Sequence, residues 1–186
     1  EASPGGRELV DPHDWYRSVA RILLEIARTL EAAHGRKVVH RDLKPANVML
    51  LGGGAPVVLD FGLAGSPDLS KGSVTEGLYG SVAYLAPEQA KSQRVGMDVR
   101  TDVYQLGLIL YELLTLRRAF PGTAIGAVLE KIEHGDYTLP RKLDPAVPRD
   151  LEAICTMALE VSPDRRYASA TALREDLERW LEGRAP

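Results

Sequence analysis

Cysteine is nearly absent. The 186-residue chain carries one, Cys155, which excludes an internal disulfide framework and any zinc site built on several thiolates. It sits in the apolar, helix-patterned stretch LEAICTMALE and is expected to be core packing, with an unreactive thiol. Long apolar runs are lacking as well: the longest, LGLILYELL at 106–114, is too short to span a bilayer and carries Glu112. A basic excess is also missing. The 23 Lys+Arg face 26 Asp+Glu, a formal net charge of −3, which argues against a nucleic-acid or anionic-membrane surface. The first residues show no signal-peptide pattern, so a cytoplasmic setting is the default expectation, with any membrane anchor of a parent protein left to segments outside these residues. Internal repeats and low-complexity tracts are absent. With 45% hydrophobic content the chain can bury a substantial core, most simply as one domain.

What is present is punctuation for helices. Residues 1–10 open on the polar, Gly- and Pro-containing EASPGGREL and read as a linker or truncated end. The following DPHDWYRSVARILLEIARTLEAAHG reads as a helix: Asp11 can cap it, Pro12 suits the first turn and Gly35 stops it. Trp15, Val19, Leu23, Ile26, Leu30 and Ala33 recur at helical spacing as one buried stripe. Three β-type runs follow, KVVH, NVML and PVVLD. The LGGGA between the last two links strands and opens no helix, so it predicts a hairpin turn and not a phosphate cradle. Residues 61–86 are rich in Gly and Ser with little periodicity and read as a long loop, a length that in a compact domain points to function or to mobility. Helices are expected near 87–92, 101–115, 124–134, 150–160 and 170–182. Thr101 or Asp102, Thr123 and Ser169 are their expected caps, Gly135 and Gly183 their stops. The fold class is mainly α with a few short β-strands at one edge.

Against that background VVHRDLKPANVML (38–50) stands out, with His, Arg, Asp, Lys and Asn inside eight residues and aliphatics on both sides. Such a cluster is costly to desolvate, so it is either wet or used. HRDLKPAN (40–47) is followed by DFG (60–62) and APE (86–88), in that order, with strands before the first two and a loop between the last two. Each triplet alone is weak; the ordered set is very specific. On these motifs the chain resembles the C-terminal lobe of a Hanks-type serine/threonine protein kinase, particularly the eukaryotic-like kinases of bacteria, from about residue 11 to about 182. The resemblance implies a protein-kinase-like C-lobe over 11–183, with catalytic loop 40–47 and activation segment 60–88, and a tail at 184–186.

Phosphoryl transfer needs a positioned hydroxyl and neutralised oxygens more than covalent chemistry. The resemblance implies that Asp42 accepts or orients the substrate hydroxyl's proton and that Lys44 is a point charge for the γ-phosphate. It makes Asn47 and Asp60 hard oxygen ligands for Mg²⁺, with Mn²⁺ as a substitute, bridging the phosphates of ATP. Lys44, Asn47, Met49 and Asp60 form the implied nucleotide site, Met49 lying beneath adenine. A Lys two residues after Asp42 is similar to the Ser/Thr branch; tyrosine kinases carry an RDLAARN-like loop. Arg41 occupies the place where a phosphorylated loop docks. The segment 63–80, LAGSPDLSKGSVTEGLYG, offers Ser66, Ser70, Ser73 and Thr75, of which Thr75 and then Ser73 are the expected activating phosphosites.

In the implied substrate-docking segment GSVAYLAPE, Ser81 stands where most relatives have Thr and keeps a hydroxyl able to bridge Asp42 and Lys44. Structural roles fall to His40, packing on Phe61 of DFG with Gly62 completing the motif, and to Glu88, expected in a buried ion pair with Arg166. Asp102 is expected to hold the catalytic loop's backbone. Leu116 follows YELLT where relatives often have Gly. Each residue also has a plain reading: His40 a packed core histidine, Met49 core filling, Asp42 a turn former before Pro45, Asp60 a strand end, Asp102 a helix-start carboxylate.

The same template requires a glycine-rich loop over the phosphates and a strand Lys paired to a helix Glu. Only 39 residues precede His40, they read as linker plus helix, and no VAIK-like strand occurs. The expectation is a lobe whose N-lobe lies outside this sequence, with protein substrates and that N-lobe as partners, no nucleic acid, and very low activity of the isolated chain. The surface facing the absent lobe, Phe61 and Met49 included, is expected to be partly exposed and prone to self-association. The competing reading is a non-catalytic kinase-like lobe serving as a binding or scaffold module. Residues 124–139 read as solvent-facing helix and loop, open to a partner.

Overall fold

The computed structural model describes residues 14–61, 81–91 and 97–186. The expectations placed on Asp11, Pro12, Gly62, Ser66, Ser70, Ser73 and Thr75 lie outside the described residues.

Helix α1 (Trp15–His34) is capped by Asp14, whose carboxylate accepts the Arg17 N–H at 3.0 Å. Val19, Leu23, Ile26 and Leu30 are fully buried as the periodicity predicts. Trp15 departs from that stripe: it stays exposed, its indole N–H donating across to the Leu113 carbonyl at 2.9 Å. The helix stops at Gly35, but with ordinary right-handed dihedrals (φ −59°). The left-handed residue that turns the chain is Lys37, at φ 62°.

KVVH is not a strand. The Val38 N–H returns to the Ala33 carbonyl and the His40 N–H goes to a carboxylate of Asp102, so these donors are spent before a ladder forms. The other two β-type runs do pair. Strand β1 (Val48–Leu50) and strand β2 (Pro56–Val58) are antiparallel, with Val48 opposite Val58, Met49 opposite Val57 and Leu50 opposite Pro56. The turn between them contains Gly53 and Gly54 at φ 83° and 84°, a region open to glycine and strained for most other residues.

Among the described residues the remaining helices are α2 (Pro87–Ala90), α3 (Val99–Thr115), α4 (Ile125–His134), α5 (Pro140–Leu143), α6 (Arg149–Ala158) and α7 (Ala170–Leu181). The α3 cap is Asp98, accepting the Arg100 N–H at 2.8 Å. Neither Thr101 nor Asp102 caps it, because both are buried inside the first turn. Thr123 is not a cap either: the α4 cap position is Ala124, with no side-chain bond. Ser169 caps α7 through the Ala172 N–H, and Gly135 and Gly183 take left-handed dihedrals at the ends of α4 and α7, as the sequence predicts.

Helix α3 is the axis of the molecule. Every residue from 101 to 111 is buried, the signature of a helix packed on all sides, and it contacts α1, α5, α6 and α7. Gly107 permits the α6 contact: a Cβ there would lie 2.8 Å from the Ala158 Cβ. Cys155 is fully buried beside the Gly107 carbonyl, and burial pushes its thiol pKa well above the usual range. No helix among the described residues is long and apolar enough to cross a membrane.

Candidate active site

The site is built on the first two turns of α3. Asp102, with no exposed surface, accepts the His40 N–H through Oδ2 at 2.9 Å and the Arg41 N–H through Oδ1 at 2.7 Å, while His34 Nε2 lies 2.7 Å from Oδ2. These bonds hold Arg41 at φ 66°, a left-handed conformation that costs a non-glycine residue about 1–2 kcal/mol. Across this turn the Arg41 side is exposed to solvent and Leu43 is sunk completely in the core.

Asp42, between them, gathers the other polar groups. Lys44 Nζ donates to Asp42 Oδ2 at 2.7 Å and to Ser81 Oγ at 3.1 Å. Asn47 Nδ2 donates to the Asp42 carbonyl at 2.8 Å and to Oδ2 at 3.2 Å. Asp42, Lys44, Asn47 and Ser81 therefore form one connected cluster. Its two charged members keep about a fifth to a quarter of their side-chain surface in contact with solvent, enough to meet a ligand.

The hairpin returns the residues on either side of Asp60 to the 40–47 loop. The Leu59 N–H donates to the Asn47 carbonyl at 2.9 Å, the Leu59 carbonyl lies 2.8 Å from His40 Nε2, and the Phe61 ring centroid lies 4.8 Å from that of His40. Asp60, between these anchored neighbours, is exposed and also left-handed, at φ 60°. Met49 lies exposed on β1. Among the described residues no group of three or more His, Cys, Asp or Glu is arranged to hold a metal alone. The donor set of Asp60 and Asn47 fits Mg²⁺, which takes one or two protein oxygens and completes its shell with water and phosphate oxygens.

Below the cluster, Arg166 forks onto Glu88, Nη1 to Oε1 at 2.9 Å and Nη2 to Oε2 at 2.8 Å, with the guanidinium wholly buried. Its remaining donors reach the carbonyls of Glu160, Val161 and Arg100, and its Cζ lies 4.7 Å from the Tyr104 ring centroid. Burial opposes ionisation of Glu88, but Arg166 and the Thr101 hydroxyl outweigh it and hold the carboxyl below its usual range.

Two residues in the site escape motif reading. Gln105, one turn beyond Asp102, and Gln89, in α2, are both buried and both bond the backbone of the 40–47 loop. The signal was available: a polar side chain in the otherwise apolar α3, on the same face as Asp102, must find partners when buried. His34 was readable only as the end of α1.

Residues 14–177 match the family model described as protein kinase domain, and the chain belongs to that family, whose members use ATP with Mg²⁺ and act on proteins. It is 41% identical over 160 residues to a probable serine/threonine-protein kinase of Streptomyces coelicolor, covering 85% of this chain and 24% of that protein. It is 38% identical over 172 residues to the serine/threonine-protein kinase PknB of Mycolicibacterium smegmatis (91% and 27%), and 39% identical over 171 residues to the tyrosine-protein kinase MasK of Myxococcus xanthus (88% and 26%). The chain spans about a quarter of the length of these relatives.

Proposed function

We propose that this chain carries the catalytic loop of a serine/threonine protein kinase, its residues 11–183 corresponding to the C-terminal lobe and transferring the γ-phosphate of ATP to Ser or Thr hydroxyls of proteins. The observation that carries this reading is the hydrogen-bonded convergence of Asp42, Lys44, Asn47 and Ser81. Asp42 takes the proton of the substrate hydroxyl as its oxygen bonds to the γ-phosphorus and ADP departs. Lys44, shared between Asp42 and Ser81, places positive charge beside the transferring group. Asn47 has its amide nitrogen engaged by Asp42, so its amide oxygen, with the carboxylate of Asp60, is what it offers to Mg²⁺. When bound, that ion neutralises charge on the phosphate oxygens. Arg41, exposed and fixed through its backbone, is the guanidinium offered to a phosphorylated Thr75 or Ser73.

The glycine-rich loop and strand Lys of the kinase template are not among these 186 residues, so the isolated chain is expected to turn over very slowly. The test is phosphorylation of a generic protein substrate by the complete protein with labelled ATP, followed by phosphoamino-acid analysis. Asp42→Asn should lower kcat by about 10²- to 10⁴-fold. No transfer by the complete protein, or undiminished turnover in the variant, would refute the proposal. The relative named as a tyrosine kinase makes the hydroxyl class a real readout: phosphotyrosine as the main product would assign the site to the other branch.

A further inference from the structure

The bonds around Gln105 and Gln89 close into a ring. Gln105 Oε1 accepts the Leu43 N–H at 2.9 Å, and its Nε2 faces the carbonyls of Arg41 and Tyr84 and Oε1 of Gln89 at 3.1–3.2 Å. Gln89 Nε2 donates to the same Arg41 carbonyl at 2.7 Å, while its Oε1 accepts the Ala86 N–H at 2.9 Å. The two amides thus hold four backbone groups, two flanking Asp42 in the catalytic loop and two in the segment that runs from Ser81 to α2. Asp102 pins the N–H groups of His40 and Arg41 from the other side, so the backbone on both sides of Asp42 is fixed by buried side chains.

A buried amide pair with these partners in place is specific in geometry, because each partner lost strands another polar group. Neither glutamine reaches solvent to any useful degree, and both bond the main chain on either side of Asp42.

We propose that Gln105 and Gln89 are positioning residues that lock the catalytic loop to the 81–86 segment, so that the placement of Asp42 and of the substrate-facing Ser81 is set by one shared amide pair. The catalytic half of this proposal rests on the reading of Asp42 as the base; the mechanical half does not. Coupling through such a pair is reciprocal, and that gives the test its sharpest feature.

Gln105→Met and Gln89→Met, singly and together, keep unbranched side chains of similar volume while removing the amides. Amide hydrogen exchange, read on each folded protein, should accelerate by about tenfold or more at Leu43 and at Ala86 in both single variants. In Gln105→Met the Ala86 acceptor is untouched, and in Gln89→Met the Leu43 acceptor is untouched, so the distant acceleration is the coupling itself. In the complete protein each single variant should lower kcat about tenfold with KM for ATP unchanged, and the double variant should be no worse than the poorer single. Acceleration confined to the residue that lost its own acceptor, or additive kinetic losses, would overturn the proposal. If the complete protein transfers no phosphate at all, the kinase reading fails while the exchange pattern still decides the lock. Should Gln105→Met not fold, Gln89→Met alone reads the coupling at Leu43.

Discussion

At the scale of single residues, Glu88 and Arg166 show how a buried charge pair makes itself indispensable. Arg166 has no exposed side-chain surface and Glu88 very little, so truncating either strands the other. Glu88→Ala is expected to cost about 3–5 kcal/mol of stability, measured by urea unfolding. The pair also dictates a pH dependence. Burial opposes ionisation of Glu88, the Arg166 and Thr101 bonds overcome it, and the folded carboxyl titrates below its usual range. The unfolded chain therefore takes up a proton at a pH where the folded chain does not. The contribution is complete above the ordinary carboxylate range and is lost as pH falls through the folded value. Urea midpoints of the wild type should fall more steeply between about pH 6 and pH 3 than those of Glu88→Gln, since the variant lacks this titration. Equal slopes would mean the carboxyl is not held low.

At the scale of elements, helix ends carry the departures from sequence expectation. Leu116 takes the left-handed place after α3 (φ 54°) and passes its N–H to the Glu112 carbonyl, with 76% of its surface exposed. The chain accepts the strain instead of changing the turn. Because the side chain packs against little, Leu116→Gly should raise stability by about 1 kcal/mol, the relief of left-handed strain exceeding the added freedom of the unfolded chain. A urea midpoint that is unchanged or lower would contradict this. The start of α3 makes the complementary point: Asp98 does the capping expected of Thr101 or Asp102, which leaves Asp102 free to bond the backbone of His40 and Arg41.

At the scale of the whole molecule, apolar surface gathers on the hairpin. Met49, Leu50 and Leu51 each leave about half their surface in water, with Leu59 and Val38 more than a third exposed. Phe61 is better covered, packed against His40 and the core. Met49, Leu50, Leu51 and Leu59 lie in or beside one hairpin, and exposed apolar surface of this kind invites association. Sedimentation velocity of the isolated chain should show concentration-dependent self-association that Leu51→Glu weakens; a monomer at all concentrations would show that the face is tolerated in water.

The sequence by itself determined the longer helices from their apolar period, though not the short α5 (Pro140–Leu143), the hairpin from its glycines, the order of HRD, DFG and APE, and the residue types of the Asp42 cluster. These are properties of neighbours along the chain. Tertiary structure alone decided that KVVH is no strand, that Arg41 and Asp60 turn left-handed, and that Gln105 and Gln89 share one carbonyl. Periodicity records which face of a helix is apolar, but not which backbone group, some 60 residues away in sequence, arrives to satisfy a polar side chain buried on it. That choice is made only when α3 is enclosed and every buried donor and acceptor must be matched.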